Sequence, residues 1–215
     1  MRPGTHWRPA QGEPTVTVLL RHGQTPMSVQ KRYAGRSDVP LTDTGVRQAA
    51  AAAKRLASAS LGVIVSSPLL RAVQTAQEVA AVNGAAVVTD DGFREADFGA
   101  WEGMTFAEVR ERWPAEVTAW LADPALAPPG GESFTDVSAR VITALHRVLA
   151  ARAGQTVLIV SHVTPIKMLV ATALLAPPAA LYRMHLDVAA LCEIDWYADG
   201  PAVLRSFNDT AHLNR

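Results

Sequence analysis

Val16, Val18 and Leu20 alternate with Thr17 and Leu19 in a short run apolar enough for burial on both faces of a sheet. A helical pattern follows. Thr42 is a candidate N-cap, and Val46, Ala49, Ala50, Ala53 and Leu56 share one face. Val63-Ile64-Val65 predicts a second buried strand. Ser67 then predicts an N-cap with Pro68 in the first helical position, ahead of Ala72, Val73, Ala76, Val79 and Ala80. Ala85 to Thr89 predicts a third strand. Asp90 to Pro129 is less regular and holds Trp101, Trp113 and Trp120; within it Thr105 and Glu108 form a capping box. Ser133 is expected to cap a long helix to about Ala151. Thr156 to Val160 predicts a fourth strand, with a helix from about Pro165 to Leu175. Ala189 to Tyr197 and Ala202 to Phe207 predict two last strands split by the turn Asp199-Gly200. Strands alternating with helices give an α/β sandwich with a mostly parallel sheet.

Composition narrows the function more than the fold. The 215 residues suffice for one sizeable domain. Twenty basic and twenty acidic residues cancel, which argues against a nucleic-acid partner held by bulk charge. Cys192 is the single cysteine, read as a small core hydrophobe. The first 14 residues, rich in Pro, Gly and Gln, read as a flexible lead-in or linker remnant without a signal peptide. The longest apolar stretch, Met168 to Leu181, is too short for a membrane span, so the expected location is cytoplasmic.

In open α/β sheets, sites lie beyond the carboxyl ends of the strands. Arg21, His22 and Gly23 follow the first strand. Ser66, Ser67 and then Arg71 follow the second, and Ser161 and His162 the fourth. Glu95 comes six residues after the third. If these ends are neighbours, one pocket holds two arginines, two histidines and a carboxylate, a composition suited to a phosphate dianion. Two adjoining arginines would repel a cation, so neither a metal nor another cofactor is expected.

The motifs "LLRHGQT", "YAGRSDVPLTDTGVRQA", "VSSPLLRAVQTAQ", "EADFGAWEG", "PGGES" and "IVSHVTPI" together resemble the histidine phosphatase superfamily, the phosphoglycerate-mutase-like group. Their order matches over roughly residues 16 to 210. The resemblance implies a three-layer α/β/α sandwich over residues 15–215, with a small helical cap insert at about 101–133. The wording "RHGQT…RYAGR" and "SHVTPIK" looks most like the acid phosphatase halves of actinobacterial proteins. Those carry a ribonuclease H domain in front, which implies such a domain in a longer parent.

The roles implied are these. His22 is the nucleophile, forming phosphohistidine. Arg21 and Arg71 clamp the phosphoryl oxygens. His162 holds a phosphate oxygen as imidazolium. Glu95 is the general acid, with Asp97 and Glu102 as rivals; Glu102 reads as serving its loop. Ser28 stands where the family commonly has asparagine and should donate to phosphate, with Gln24 and Thr25 as further contributors. Val163 stands where glycine commonly follows the histidine, and joins the phosphate-binding set. The tryptophans read as cap core, or alternatively as a wall for the leaving group. His6, His146, His185 and His212 read as surface or packing residues.

The expected activity is metal-independent hydrolysis of a small-molecule phosphate monoester, of acid phosphatase type. A phosphoglycerate mutase using the same residues is the alternative. A non-catalytic phospholigand module is the third reading. The compact stretch from Gly103 to Gly130 and the short tail after Asn208 favour the phosphatase, because an unsheltered phosphohistidine should hydrolyse.

Overall fold

The structure is a computed structural model and describes residues 10–213. His6 and most of the expected lead-in lie outside the described residues. Six strands form one sheet in the order β3-β2-β4-β1-β5-β6: β1 Thr15–Arg21, β2 Leu61–Ser66, β3 Val87–Thr89, β4 Thr156–Ser161, β5 Leu191–Trp196 and β6 Ala202–Asp209. Only β5 runs against the others, pairing antiparallel with β1 and β6. Among the described residues seven α-helices surround the sheet: α1 Pro26–Gln30, α2 Asp43–Leu56, α3 Leu70–Asn83, α4 Phe106–Arg112, α5 Pro114–Ala122, α6 Phe134–Ala151 and α7 Val163–Ala173.

The architecture is the expected three-layer α/β/α sandwich, because the central strands are apolar on both faces. Val18, Leu20, Ile64, Leu158 and Val160 pack against α2 and α3. Their neighbours Leu19, Val63, Val65, Val157 and Ile159 pack against α6 and α7, together with Trp101, Val109, Val117 and Trp120 of the helical insert. Trp101 and Trp120 meet edge to face at 5.3 Å, a geometry that aromatic pairs prefer. The predicted caps form: Thr42 accepts from Gly45 N–H, and Thr105/Glu108 and Ser133/Asp136 make reciprocal capping boxes. Cys192 is buried, and burial pushes its thiol up to about 11, an unreactive setting.

Several elements differ from their pattern. On α2 the buried face is Gly45, Ala49, Ala52, Ala53 and Leu56, while Val46 and Ala50 are exposed. Helix α3 begins at Leu70, with no side-chain cap, instead of at Ser67-Pro68. The Ser67 hydroxyl is engaged elsewhere, accepting from Leu69 N–H and meeting His162. The third strand shrinks to Val87–Thr89 at the sheet edge, where it has a partner on one side only.

Just past β1, Gly23 packs against the first turn of α2. A Cβ on Gly23 would lie 2.4 Å from Gly45 O, and one on Gly45 would lie 2.1 Å from Gln24 O. Both contacts are with backbone, which cannot swing aside. Gly23→Ala is therefore expected to cost about 1–3 kcal/mol in a urea melt. It should also lower turnover of an aryl phosphate, since His22 is the adjacent residue.

Candidate active site

The carboxyl ends of β1, β2 and β4 and the segment after β3 converge on a cavity of about 230 Å3. It is lined by Arg21, His22, Glu95, Val163 and Thr164 together with Thr25, Ser28, Arg32, Tyr33, Ala34 and Phe98. Parallel β1–β4 pairing places Arg21 beside Ser161, and His22 N–H donates to Ser161 O at 3.0 Å. The two histidine rings, from ends 140 positions apart in sequence, then lie 5.1 Å apart between centroids.

His22 Nδ1 lies 2.7 Å from Gly23 O. A carbonyl can only accept, so the proton sits on Nδ1 and Nε2 carries the lone pair. Burial, then Arg21 and Arg71, hold this imidazole well below the usual histidine range. It is neutral at pH 7 and remains so into mild acid.

His162 is fully buried at the N-cap of α7, its Nε2 2.8 Å from Ser67 Oγ. Burial, then Arg71, His22 and Arg21, also hold it well below the usual range. Without a bound anion the ring is neutral rather than the expected imidazolium, because burial opposes its charge first and Arg71, His22, Arg21 and Arg140 add to it.

Arg21 donates from Nη1 to Leu186 O at 2.6 Å, and its buried Nε–H has no partner. Burial lowers it to about 10, opposed by Glu95 and Asp187, so it stays charged at neutral pH. Arg71 is 1 % exposed and lies behind the cavity rather than among the residues of its wall. It donates to three carbonyls of one loop: Ser37 O at 2.8 Å, Ala34 O at 2.6 Å and Gly35 O at 3.0 Å. Its Nε–H remains unpartnered. Arg71 thus builds the loop that carries Tyr33 and Ala34 into the wall, a task its sequence motif did not reveal.

Glu95 is held by backbone donors, Oε1 accepting from Ala96 N–H at 2.8 Å and Thr164 N–H at 3.3 Å. Thr164 lies in the first turn of α7, which brings free N–H groups of that helix to the cavity. The rivals are spoken for. Asp97 pairs with Arg36 at 2.8 Å, and Glu102 accepts from Gly35 N–H, Arg36 N–H and Ser37 Oγ. Ser28 lines the cavity, but its proton goes to Thr25 O at 2.8 Å and its oxygen caps Thr25 N–H. The expected Ser28 donation to phosphate is therefore corrected: its hydroxyl closes the capping box of α1. Gln24 is likewise committed, its Oε1 accepting from Thr42 Oγ1.

Three residues of weight, Arg32, Tyr33 and Phe98, sit within the motifs without a role assigned from sequence, and a fourth, Arg140, lies outside them. Tyr33 and Phe98 line the cavity with ring centroids 4.6 Å apart and planes tilted by 40°, and Trp101 lies 6.2 Å from the Tyr33 ring. Trp101 itself is core. Arg32 also lines the cavity, but pairs with Glu108 at 2.8 Å and donates to Gly103 O. Arg140 of α6 donates to Gly92 O, Arg94 O and Glu95 O while pairing with Glu132, which fixes the loop carrying Glu95. Only periodicity marked α6, and an arginine on its polar side gives no sign of what it reaches.

The family model for the histidine phosphatase superfamily (branch 1) matches residues 17–210. The chain is 50 % identical over 208 residues to Bifunctional protein Rv2228c of Mycobacterium tuberculosis, covering 96 % of this chain and 57 % of that protein. It is 35 % identical over 204 residues to the probable phosphoglycerate mutase GpmB of Yersinia pestis, covering 91 % of this chain and 94 % of that one. A solved mycobacterial glucosyl-3-phosphoglycerate phosphatase Rv2419c, in complex with VO3, superposes with a TM-score of 0.84 at 32 % identity. That match covers 91 % of this chain and 100 % of the phosphatase chain. The chain spans little more than half the length of its mycobacterial relative. With its motifs in order, its sheet topology and this match over nearly its whole length, the chain belongs to the histidine phosphatase superfamily, branch 1.

Proposed function

We propose that the chain is a metal-independent phosphatase that hydrolyses small-molecule phosphate monoesters through a phosphohistidine, as an acid phosphatase. The observation that carries this reading is the Nδ1–H bond of His22 to Gly23 O, which leaves Nε2 unprotonated in the cavity wall. Nε2 attacks phosphorus in line, and the P–O bond to the leaving group breaks. Gly23 O meets the positive charge that develops on the ring. Glu95 gives the proton to the departing oxygen. Its carboxylate then takes one from the water that attacks the N–P bond, returning the enzyme to its starting state. The charge of Arg21, and of Arg71 behind it, stabilises the transferring phosphoryl group. His162 supplies an N–H to an oxygen of that group, and Val163 and Thr164 bring the N-terminal end of α7 to it.

The leaving-group side favours hydrolysis over mutase chemistry. Tyr33, Phe98 and Ala34 of the lining are uncharged, and Arg32, the cation of the lining besides Arg21, is already paired with Glu108. A phosphoglycerate carboxylate finds little to bind there. The reading extends to a cytoplasmic location and to a parent protein with an N-terminal ribonuclease H domain. The name of the mycobacterial relative and its extra length support the additional domain.

The test is hydrolysis of p-nitrophenyl phosphate, with and without chelator, across pH. Protonating His22 removes its lone pair, and its pKa lies well below 6.5. The acid limb of kcat/KM should therefore fall below pH 6.5, with chelator having no effect. Phosphoglycerate interconversion with negligible hydrolysis would establish the mutase instead.

A further inference from the structure

We propose that Asn208 and His212, beyond the catalytic motifs, are positioning residues that clamp the loop on which Arg21 and His22 are seated. The inference rests on the phosphatase reading above.

The end of β1 is held from one side by residues 186–190. Arg21 N–H donates to Ala190 O at 3.1 Å, Ala189 N–H donates to His22 O at 3.1 Å, and Arg21 Nη1 donates to Leu186 O at 2.6 Å. Both the backbone and the guanidinium of Arg21 thus take their position from this loop. Ala189 pays a conformational penalty to serve it, with φ at 54° in the left-handed region. A non-glycine residue stays there only when its surroundings over-determine it, and such residues gather at functional sites.

The surroundings that hold the loop come from the last strand and the residues after it. His212 Nε2 lies 3.0 Å from Ala189 O. The carbonyl only accepts, so Nε2 carries the proton and donates. Asn208 makes a two-bond ring with Asp187: Asp187 N–H donates to Asn208 Oδ1 at 2.7 Å, and Asn208 Nδ2 donates to Asp187 Oδ2 at 3.2 Å. Asn208 can do this because β6 is irregular at that point. The β5–β6 register shifts between Leu191 and Glu193, opposite Asp209 and Ser206, and Asn208 has φ 55°. A bulge of this kind turns a side chain out of the ladder, and asparagine tolerates the left-handed region better than most residues. The chain of contacts then runs from Asn208 and His212 through residues 186–190 to the two groups that meet the phosphoryl group.

Positioning predicts a particular signature. An interaction felt only in the transition state lowers kcat and kcat/KM together and leaves KM nearly alone. Vanadate, which takes up the five-coordinate geometry of phosphoryl transfer, should feel it more than inorganic phosphate does. The experiment compares Asn208→Gly, His212→Ala, His212→Gln and the Asn208→Gly/His212→Ala pair, using p-nitrophenyl phosphate turnover, vanadate and phosphate inhibition, and thermal melts. Asn208→Gly keeps the left-handed backbone and removes only the side-chain ring. The double variant is expected to lose roughly 10-fold in kcat and in vanadate affinity, with KM and phosphate affinity changing by less than about 3-fold. His212→Gln, whose amide can still donate, should recover most of the loss caused by His212→Ala. Turnover within about 2-fold of the parent, equal weakening of vanadate and phosphate, or no recovery with glutamine would each overturn the clamp. If the double variant does not fold, the two single variants decide the matter by the same ratios. A parent chain inert toward phosphate monoesters would overturn the phosphatase reading alone, and the vanadate-to-phosphate affinity ratio, read from the ligand-induced shifts in the thermal melts, would still test the clamp.

Discussion

His22→Ala is expected to lower p-nitrophenyl phosphate turnover by roughly 10^3-fold or more, because it removes the Nε2 lone pair that takes the phosphoryl group in the proposed mechanism. Arg21 would remain to bind phosphate, so the loss should fall on kcat. The same substitution tests the electrostatics through stability. In the folded chain burial, Arg21 and Arg71 hold the His22 pKa well below its unfolded value of about 6.5. Above pH 6.5 the ring is neutral in both states and the full stability is present. As pH falls below 6.5 the unfolded chain takes up the proton first, and stability is lost until the folded pKa is passed. Removing the ring removes this contribution, so the acid-side fall in Tm should be shallower in His22→Ala than in the parent. Turnover within 10-fold of the parent would end the phosphohistidine mechanism, and a parallel fall in Tm would end the assignment of the neutral ring.

Arg71→Met should have the second largest effect, and for two separable reasons. The guanidinium holds Ala34 O, Gly35 O and Ser37 O, and orphaned carbonyls cost about 1–3 kcal/mol each. Part of that returns because a desolvated cation leaves with it, so a net loss of about 1–3 kcal/mol in a urea melt is expected. Turnover should fall by roughly 10^2-fold, through lost charge behind the phosphoryl group and through displacement of Tyr33 and Ala34. The pH profile carries a second signature. Arg71 is among the charges lowering His22, after burial and Arg21, and is the leading charge lowering His162. Without it both histidines titrate at higher pH, so the acid limb of kcat/KM should move upward. Arg71→Lys separates the reasons: an ammonium restores charge but cannot reach three carbonyls in the fork geometry of arginine. Lysine should recover the position of the acid limb more fully than the melt. An acid limb that stays put in Arg71→Met would show that burial alone depresses the histidines.

The Glu95 environment illustrates how far a linear motif reaches. The motif around Glu95 selected it over Asp97 and Glu102, and the hydrogen bonds agree, since both rivals serve loop contacts. Nothing in the motif announced that Arg140, on a helix 45 positions later, grips the carbonyl of Glu95 itself. Ser28 shows the reverse case. Its place in the motif suggested a phosphate donor, yet a hydroxyl at the third position of α1 has a nearer partner in its own cap. A short side chain takes the local hydrogen bonds that its own helix cap offers.

The order of elements, the buried strands and the capped starts of α2, α4 and α6 were determined by the sequence alone, because periodicity and capping are short-range physics. So were the strand-end positions of Arg21, His22 and His162, since a charged side chain cannot sit in the middle of a strand buried on both faces. The tertiary structure decided the rest. Parallel pairing of β1 with β4 brought the two histidines together, and their shared burial among arginines made both rings neutral. The aromatic wall of Tyr33 and Phe98, the task of Arg71 and the seating of Arg21 on residues 186–190 join segments far apart in sequence. Such contacts depend on where side chains converge in space, which no local pattern along the chain encodes.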